Sequence, residues 1–526
     1  VTLEMSASGA SFFSMFRPSS ANPGIRFAAV LLTCVLGTHA ADFYVSSQGS
    51  DSQDGQTPRT AWKTVARVNR HIAEHGLGPG DGLLFKGGSM FEGELRLSHA
   101  GGGRERAPVR ITSYGRGRAV LKPGTENGIL LRETPWVSVS NLNLVAAPGN
   151  LGDGIRCDRD RESSERISGI TIRDCSITGF GWHGIMVDAS QRSMGFSQVV
   201  IERCETSGNR YAGIMVYGGN PSGRNWRPHT QVSISDCLAF GNPGDPAELK
   251  HHSGSGIFVD GVDTATIRGC VAAENGAECR NDRGGPVGIW AHASRRVVIE
   301  RCESYGNSSL LRDGGGFDLD GGCEESVMRW NFSHHNHGPG FLVYTYSGAA
   351  YADRDCQVLE NISWNDGARS SGYAGIQVGA EEGCRVFGLK VERNTVISAP
   401  GSVASLRIMG HSVEGTVRSN LVVAPEHGIL VSVSGFRHRL QFEGNHYWRS
   451  DGKPVFLVDS QWAVPSLASW RNATGPDFRF VSVGEVFQDP GLRTPRTPNP
   501  QTVRRQPSWP RLSHKASDLV GAPAMP

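Results

Sequence analysis

Gly256-Ile257-Phe258-Val259-Asp260, Gly288-Ile289-Trp290-Ala291-His292 and Gly316-Phe317-Asp318-Leu319-Asp320 are three copies of one phrase: glycine, apolar, variable, apolar, polar. Upstream it reads Gly128-Ile129-Leu130-Leu131-Arg132, Gly154-Ile155-Arg156-Cys157-Asp158, Gly184-Ile185-Met186-Val187-Asp188 and Gly213-Ile214-Met215-Val216-Tyr217. Downstream it continues as Gly340-Phe341-Leu342-Val343-Tyr344 and Gly375-Ile376-Gln377-Val378-Gly379, with weaker copies at Ser405 to Met409 and Gly428 to Ser432. Most copies lie roughly 24 to 35 residues apart, within the period range of solenoid repeats. Period-2 alternation means a strand. The second and fourth residues face a core, and the third and fifth point the other way. One such strand per repeat, stacked in parallel on its neighbours, builds a coil with rungs ~4.8 Å apart.

A second repeat lies between the copies of the first: Ile172-Arg173-Asp174-Cys175, Ile201-Glu202-Arg203-Cys204, Ile234-Ser235-Asp236-Cys237, Ile267-Arg268-Gly269-Cys270 and Ile299-Glu300-Arg301-Cys302. The same slot then holds Asn331, Asn361, Asn394 and Asn420. A column that passes from cysteine to asparagine is a side-chain ladder inside a turn, where asparagine can satisfy buried amides and carbonyls. The rival reading is a metal or redox cluster. These cysteines lack CxxC partners, and their exchange for asparagine makes sense only as packing. Gly208-Asn209, Gly241-Asn242, Asn275-Gly276 and Gly306-Asn307 follow the ladder and are turn chemistry.

Through this strand, turn and ladder pattern the chain resembles, from about Asp42 to Pro490, the right-handed parallel β-helix repeat superfamily of pectate lyase-like and polygalacturonase-like carbohydrate-active proteins. The opening Phe43-Tyr44-Val45-Ser46, with Gly49-Ser50-Asp51, Asp54-Gly55 and Ala61-Trp62-Lys63-Thr64, looks like the first segment of many secreted members. The resemblance implies an all-β fold, a single-stranded right-handed parallel β-helix, and action on carbohydrate. Its motif is specific for the fold and unspecific for the reaction. The adjacent Asp-Asp with a downstream Gly-His-Gly of polygalacturonases is not found here.

With 526 residues and 68 glycines the chain has the length of two or three ordinary domains, but solenoids grow without adding cores. A formal charge of +2 gives no argument for nucleic acid or an anionic membrane as partner. Residues 1–40 read as a signal peptide with an upstream extension. Arg17 and Arg26 precede the apolar run Phe27 to Gly37, too short for a membrane span, and Thr38-His39-Ala40 offers a cleavage site. Cys34 fits a lipoprotein signal poorly. A secreted or periplasmic protein is expected, most simply a monomer, in which disulfides are permitted; Cys279 with Cys323 is a candidate pair. Residues 41–84 read as an opening strand and a capping helix, since Trp62, Val65, Val68 and Ile72 have helical spacing. The β-helix follows over 85–434, an irregular C-terminal cap over 435–492, and a proline- and arginine-rich disordered tail over 493–526. Two insertions, Gly218 to Gln231 and Gly241 to Ser255, bracket the rung at Cys237 and carry Arg224, Trp226, Arg227, His229, Lys250, His251 and His252.

The outward residues form a column. The fifth positions are Asp158, Asp188, Tyr217, Asp260, His292, Asp320, Tyr344 and Gly379; the third are Arg156, Met186, Met215, Phe258, Trp290, Asp318, Leu342, Gln377 and Arg407. A solvated face would scatter Lys, Thr, Ser and Gln, whereas this stripe gathers aspartates, tyrosines and a histidine beside Trp290 and Phe258. Carboxylates for proton transfer with aromatics for sugar rings suit a polysaccharide groove. Asp318 and Asp320 share a strand, with Cα atoms ~6.6 Å apart, and Asp260 lies two rungs, ~9.6 Å, from Asp320 with His292 between. Glycosidase carboxyl pairs stand ~5 to 5.5 Å apart for retention and roughly 6.5 to 9.5 Å for inversion, so both outcomes stay open. Crowded aspartates should split their pKa values into an acid and a base. The glycines around Asp318 and Asp320, from Gly314 to Gly322, let a bulky ligand approach the backbone. His334, His335 and His337 crowd one turn without a metal-binding frame.

The first expectation is therefore a secreted glycoside hydrolase without metal or cofactor. Asp318, Asp320 and Asp260 would be acid and base and His292 an auxiliary, with Asp188, Tyr217, Trp290, Tyr344, Gln377 and Arg156 binding substrate. The second is a polysaccharide lyase acting on a uronate polymer, with Ca²⁺ held by the aspartates and Arg156, Arg407 or Lys250 as base. A non-catalytic carbohydrate-binding solenoid is the third.

Overall fold

The protein is described here by a computed structural model covering residues 40–473 except 100, 190–193, 220–225, 350, 369–371, 436–437 and 460–461, together with 486–487. The residues read above as a signal peptide ahead of Ala40, those read as a tail from 493, and Arg224 of the first insertion lie outside the described residues. Within them the alternating phrases are strands, and the coil is a right-handed parallel β-solenoid of three long sheets with 15, 14 and 14 strands. Register follows the repeat: Ile185 pairs with Ile214, Ile214 with Ile257, Ile257 with Ile289, Ile289 with Phe317 and Phe317 with Phe341. These second-position side chains stack in the core, where the Phe317 and Phe341 rings lie 5.0 Å apart and nearly parallel. The leading glycine has a reason too. A Cβ on Gly288 would collide with Ser304 Oγ and Asn307 Nδ2 of the adjoining turn, so this corner admits only hydrogen.

The ladder is continuous and longer than its sequence signature. Asn331, Asn361 and Asn394 each donate their backbone N–H to the Oδ1 of the next asparagine at 2.9 Å, and the column ends on Asn445. Each side-chain Nδ2 reaches back to a carbonyl of the previous rung, as Asn361 does to Met328 at 2.9 Å. The residue before each ladder position is left-handed, for example Arg301, Trp330, Glu360 and Arg393 at φ 54, 58, 55 and 55°. Non-glycine residues pay roughly 1–2 kcal/mol for that conformation, which the ladder hydrogen bonds offset. A second ladder joins Asn209, Asn242, Asn275, Asn307 and Asn336 and ends on Asp366. All ten described cysteines are free thiols, and Cys279 and Cys323 are not joined. Cys323 instead stacks below Cys356, which donates its thiol to the Cys323 carbonyl.

Helix is scarce. The apolar spacing after Trp62 yields one 11-residue helix, Val65–His75, started by the Thr64 hydroxyl and stopped at Gly76. It sends Val65, Val68 and Ile72 into the core. One short element on this side of the coil is all that remains of the expected helical cap. At the other end Trp462–Val464 turns back antiparallel on Phe456–Val458, and Trp470 of helix Leu467–Ala473 is fully buried beside Phe456. Among the described residues no helix is long and apolar enough to cross a membrane.

Candidate active site

The sheet that carries the phrase runs through strands Ser255–Asp260, Val287–His292, Gly315–Asp320, Phe341–Thr345, Ala374–Ala380 and Ala404–Gly410. Its outward face is the floor of a cleft of about 1290 Å³. That volume exceeds the roughly 300–1,000 Å³ of small-ligand pockets and suits an extended chain. Outward does not mean exposed. Met186, Phe258, Trp290, Asp260 and Asp318 are all buried, because loops on both sides fold over the sheet edge. His252 from the second insertion packs 4.9 Å from Trp290, and Trp226 from the first donates Nε1–H to the Gly218 carbonyl.

Asp260, His292 and Asp320 occupy one register column on successive rungs, and Asp318 lies on the Asp320 strand. Asp260 Oδ1 meets His292 Nδ1 at 2.5 Å, and His292 Nε2 meets the Tyr346 hydroxyl at 2.9 Å. Asp260 Oδ2 also accepts the Gly218 N–H. Burial works against an imidazolium, but the Asp260 carboxylate and the nearby Asp320 outweigh it and raise His292 to about 8. Burial raises Asp320 to about 7, with His292 restraining the rise and Asp313 adding to it. Asp318 is driven well above the carboxylate range by burial first and then by the charge of Asp320. One oxygen each of Asp318 and Asp320 is buried without a hydrogen-bond partner. Beneath them Asp353 accepts the Gly322 and Cys323 N–H groups at 2.8 and 2.7 Å, its second oxygen is unpartnered, and burial raises it as well. The cluster thus concentrates carboxyls that cannot all ionise together.

Not every expected residue reaches the cleft. Arg156 ties Asp153, Asp158 and Asp188 into one ion cluster at 2.8, 2.8 and 2.5 Å, and Arg132 completes Asp158. Arg156 and Asp188, expected to bind substrate, are paired with each other and stand outside the cleft lining. Trp290 is 4 % exposed with one face covered by Phe258 at 3.7 Å, so it is cleft floor and not an open sugar platform. Tyr217, Tyr344 and Gln377 do line the cleft. His334 is buried against Glu303 and stacked on Tyr305, and among the described residues no group of histidine, cysteine and acidic side chains is arranged to hold a metal ion.

Strand periodicity does not find several lining residues. Asp313 sits in the turn before Gly315–Asp320, half-buried, and accepts the Tyr373 hydroxyl at 2.7 Å and the Gly285 N–H at 2.5 Å. Tyr346 and Asp353 lie beyond the repeat phrase of their rung, and Trp182 and Tyr211, stacked at 4.8 Å, form an aromatic ledge at the N-terminal end. Trp182 is 45 % exposed, the open platform that Trp290 is not. The only sequence signal for Asp313 is its place at the head of the glycine run.

Residues 153–356 match a family model described as right handed beta helix region. A lacto-N-biosidase of Bifidobacterium longum subsp. longum is 25% identical over 150 residues, which are 23% of this chain and 9% of that protein. Among solved structures, the GH136 lacto-N-biosidase of Eubacterium ramulus aligns with TM-score 0.47 and 17% identity over 71% of this chain and 67% of that one. Pectate lyase Pel9A aligns with TM-score 0.38 and 16% identity over 73% and 80%. From its parallel strand order and rung register the chain has the fold of a parallel β-helix, and residues 153–356 are similar to the right-handed β-helix family.

Proposed function

We propose that this chain is a carbohydrate-active enzyme that hydrolyses a glycosidic bond of an oligosaccharide or polysaccharide lying along the cleft. The observation that supports this is the division of labour among its carboxyls. Asp320, raised to about 7 and half-buried at the cleft floor, can hand a proton to a leaving glycosidic oxygen near neutral pH. Asp313, accepting two hydrogen bonds and lining the same cleft, would be the second carboxylate. It would draw a proton from water in inversion or attack the anomeric carbon in retention. Asp318 stays protonated beside Asp320 and offers a hydroxyl to the sugar. Asp260 and Tyr346 hold His292, whose charge keeps Asp320 from rising further; they position, and Asp320 reacts. The name of the curated relative agrees with the class of enzyme.

One observation favours a lyase as the second reading: Arg407 lines the cleft, and burial makes its proton easier to lose. An arginine base would abstract the proton alpha to a uronate carboxylate. Product analysis on neutral and uronic polysaccharides separates the two. New reducing ends without the ultraviolet absorbance of an unsaturated uronate, unaffected by chelator and lost in Asp320→Asn, are expected. Absorbance that survives Asp320→Asn and vanishes in Arg407→Gln would overturn hydrolysis. We also propose export, on residues 1–40; fractionation of producing cells, with sequencing of the mature N-terminus, checks it.

A further inference from the structure

The C-terminal end of the cleft holds a cation without a counter-ion. Arg407 stands in the same register column as Asp318, with Leu342 and Gln377 on the rungs between, which places it ~14 Å along the coil axis. Its Nη1 donates to the Gly372 carbonyl at 2.5 Å, and its Nε is buried with no partner. No ion pair links it to a carboxylate among the described residues, and the ionisable groups that face it are the hydroxyls of Tyr344 and Tyr373, neutral at physiological pH. Arg156, Arg159, Arg227 and Arg449, by contrast, each contact a carboxylate. Next to Arg407, Gln377 is 5 % exposed, and its Oε1 is also buried and unpartnered. A half-buried guanidinium whose covered Nε–H is unsatisfied, beside a buried amide oxygen that is unsatisfied too, is costly unless a ligand completes the pair.

A purely structural role explains little of this, since holding Gly372 uses one of five guanidinium N–H donors. Location points to the substrate. Tyr344 is within electrostatic reach of Asp320, and Tyr373 bonds Asp313, so the two tyrosines that face Arg407 also adjoin the two carboxyls assigned to catalysis.

We propose that Arg407, with Gln377 beside it, recognises an anionic group, a carboxylate or a sulfate, on a sugar unit close to the scissile bond, so that the substrate is an acidic oligosaccharide. This rests on the reading of the cleft as a sugar-cleaving site. A planar guanidinium with free N–H groups pairs with either anion through charge-assisted hydrogen bonds, and the neighbouring amide takes a sugar hydroxyl.

Binding is measured apart from turnover. The full chain carrying Asp320→Asn is titrated, by ligand-observed NMR and calorimetry, with glucuronate, galacturonate and N-acetylglucosamine 6-sulfate, and with glucose, galactose and N-acetylglucosamine. At least one acidic sugar should bind roughly tenfold tighter than its neutral parent, a gap that narrows with salt. Which acid wins tells carboxylate from sulfate. Adding Arg407→Gln should erase the gap and leave neutral sugars unchanged, and Arg407→Lys should keep part of it. Gln377→Glu, which sets a carboxylate against Arg407 without removing it, should erase the gap as well. Acidic sugars that bind no tighter than their parents, or a preference that survives both Arg407→Gln and Gln377→Glu, would overturn the proposal. Failure of the hydrolase reading shows elsewhere, as wild-type protein that releases no reducing ends.

Discussion

Asp320 carries a proton at pH values where a carboxyl is ordinarily ionised, because burial removes the water that would stabilise its charge and outweighs the opposition of His292 and the Gly321 N–H. Two consequences share that cause. As general acid it must be protonated, so kcat/KM should fall on the alkaline side through about 7, read from a pH–rate profile of the free enzyme. Stability is linked with the opposite sign to a salt-bridged carboxylate. The folded value lies above the ordinary 3.8, so Asp320 disfavours folding increasingly as pH rises from 3.8 to about 7. Asp320→Asn should therefore lower kcat by roughly 10²–10⁴-fold and raise the thermal midpoint at pH 8. A midpoint below wild type at that pH would show that the carboxyl is not strained. Gly321 matters for a different reason. At φ 54° its Cβ would lie 2.5 Å from His292 Cδ2 and Nε2. Gly321→Ala should displace the ring, shift the alkaline limb of the pH–rate profile and cost about 1–2 kcal/mol for the left-handed alanine. An unshifted limb would remove His292 from the positioning role. Asp260, His292, Asp318 and Asp320 were legible in the sequence because strand period puts them on one face. Asp313 and Asp353 were not, since a turn and a two-residue strand carry no period.

At the scale of elements, the ladders turn a weak local pattern into rigid registration. Each asparagine answers both a backbone N–H and a carbonyl of the preceding rung, so removing its side chain orphans two backbone groups there. Asn361→Ala should cost about 2–6 kcal/mol, being roughly 1–3 for each of the two buried groups left unsatisfied. The cysteine half of the ladder makes longer contacts, as from the Cys204 N–H to Cys237 Sγ at 3.5 Å. Cys237→Ala should accordingly cost less than Asn361→Ala, measured from urea midpoints of the same transition. The reverse order would mean that volume, and not hydrogen bonding, sets the ladder's value. The switch from cysteine to asparagine told of packing before any coordinates. The second ladder, read only as turn residues, needed its partners in space.

At the scale of the whole molecule, a solenoid has no single centre, and each rung is held mainly by its neighbours. Protection should then fall toward the ends. Hydrogen exchange is expected to be slowest for amides between Ala212–Tyr217 and Phe341–Thr345, and faster in the opening strand Asp42–Val45 and in Phe456–Val458. Uniform protection over all these strands would mean that the coil unfolds as one unit. The same architecture gives the cleft its polarity: an aromatic ledge at Trp182 and Tyr211, the carboxyl cluster in the middle rungs, and Arg407 beyond it.

The sequence alone determined the solenoid, its rung register and the column of outward side chains, because period-2 alternation and a repeated turn leave one way to stack. It could not tell which members of that column would be used up by one another. Arg156 and Asp188 look like ligands in a list of outward residues, and three-dimensional pairing consumed them. Asp313 and Tyr346 entered the site from aperiodic loop positions, and Asp353 came to lie beneath it from a two-residue strand, which only tertiary packing brings together. The proton on Asp320 was decided there too, since desolvation depends on what surrounds a carboxyl in space and not on its neighbours in the chain.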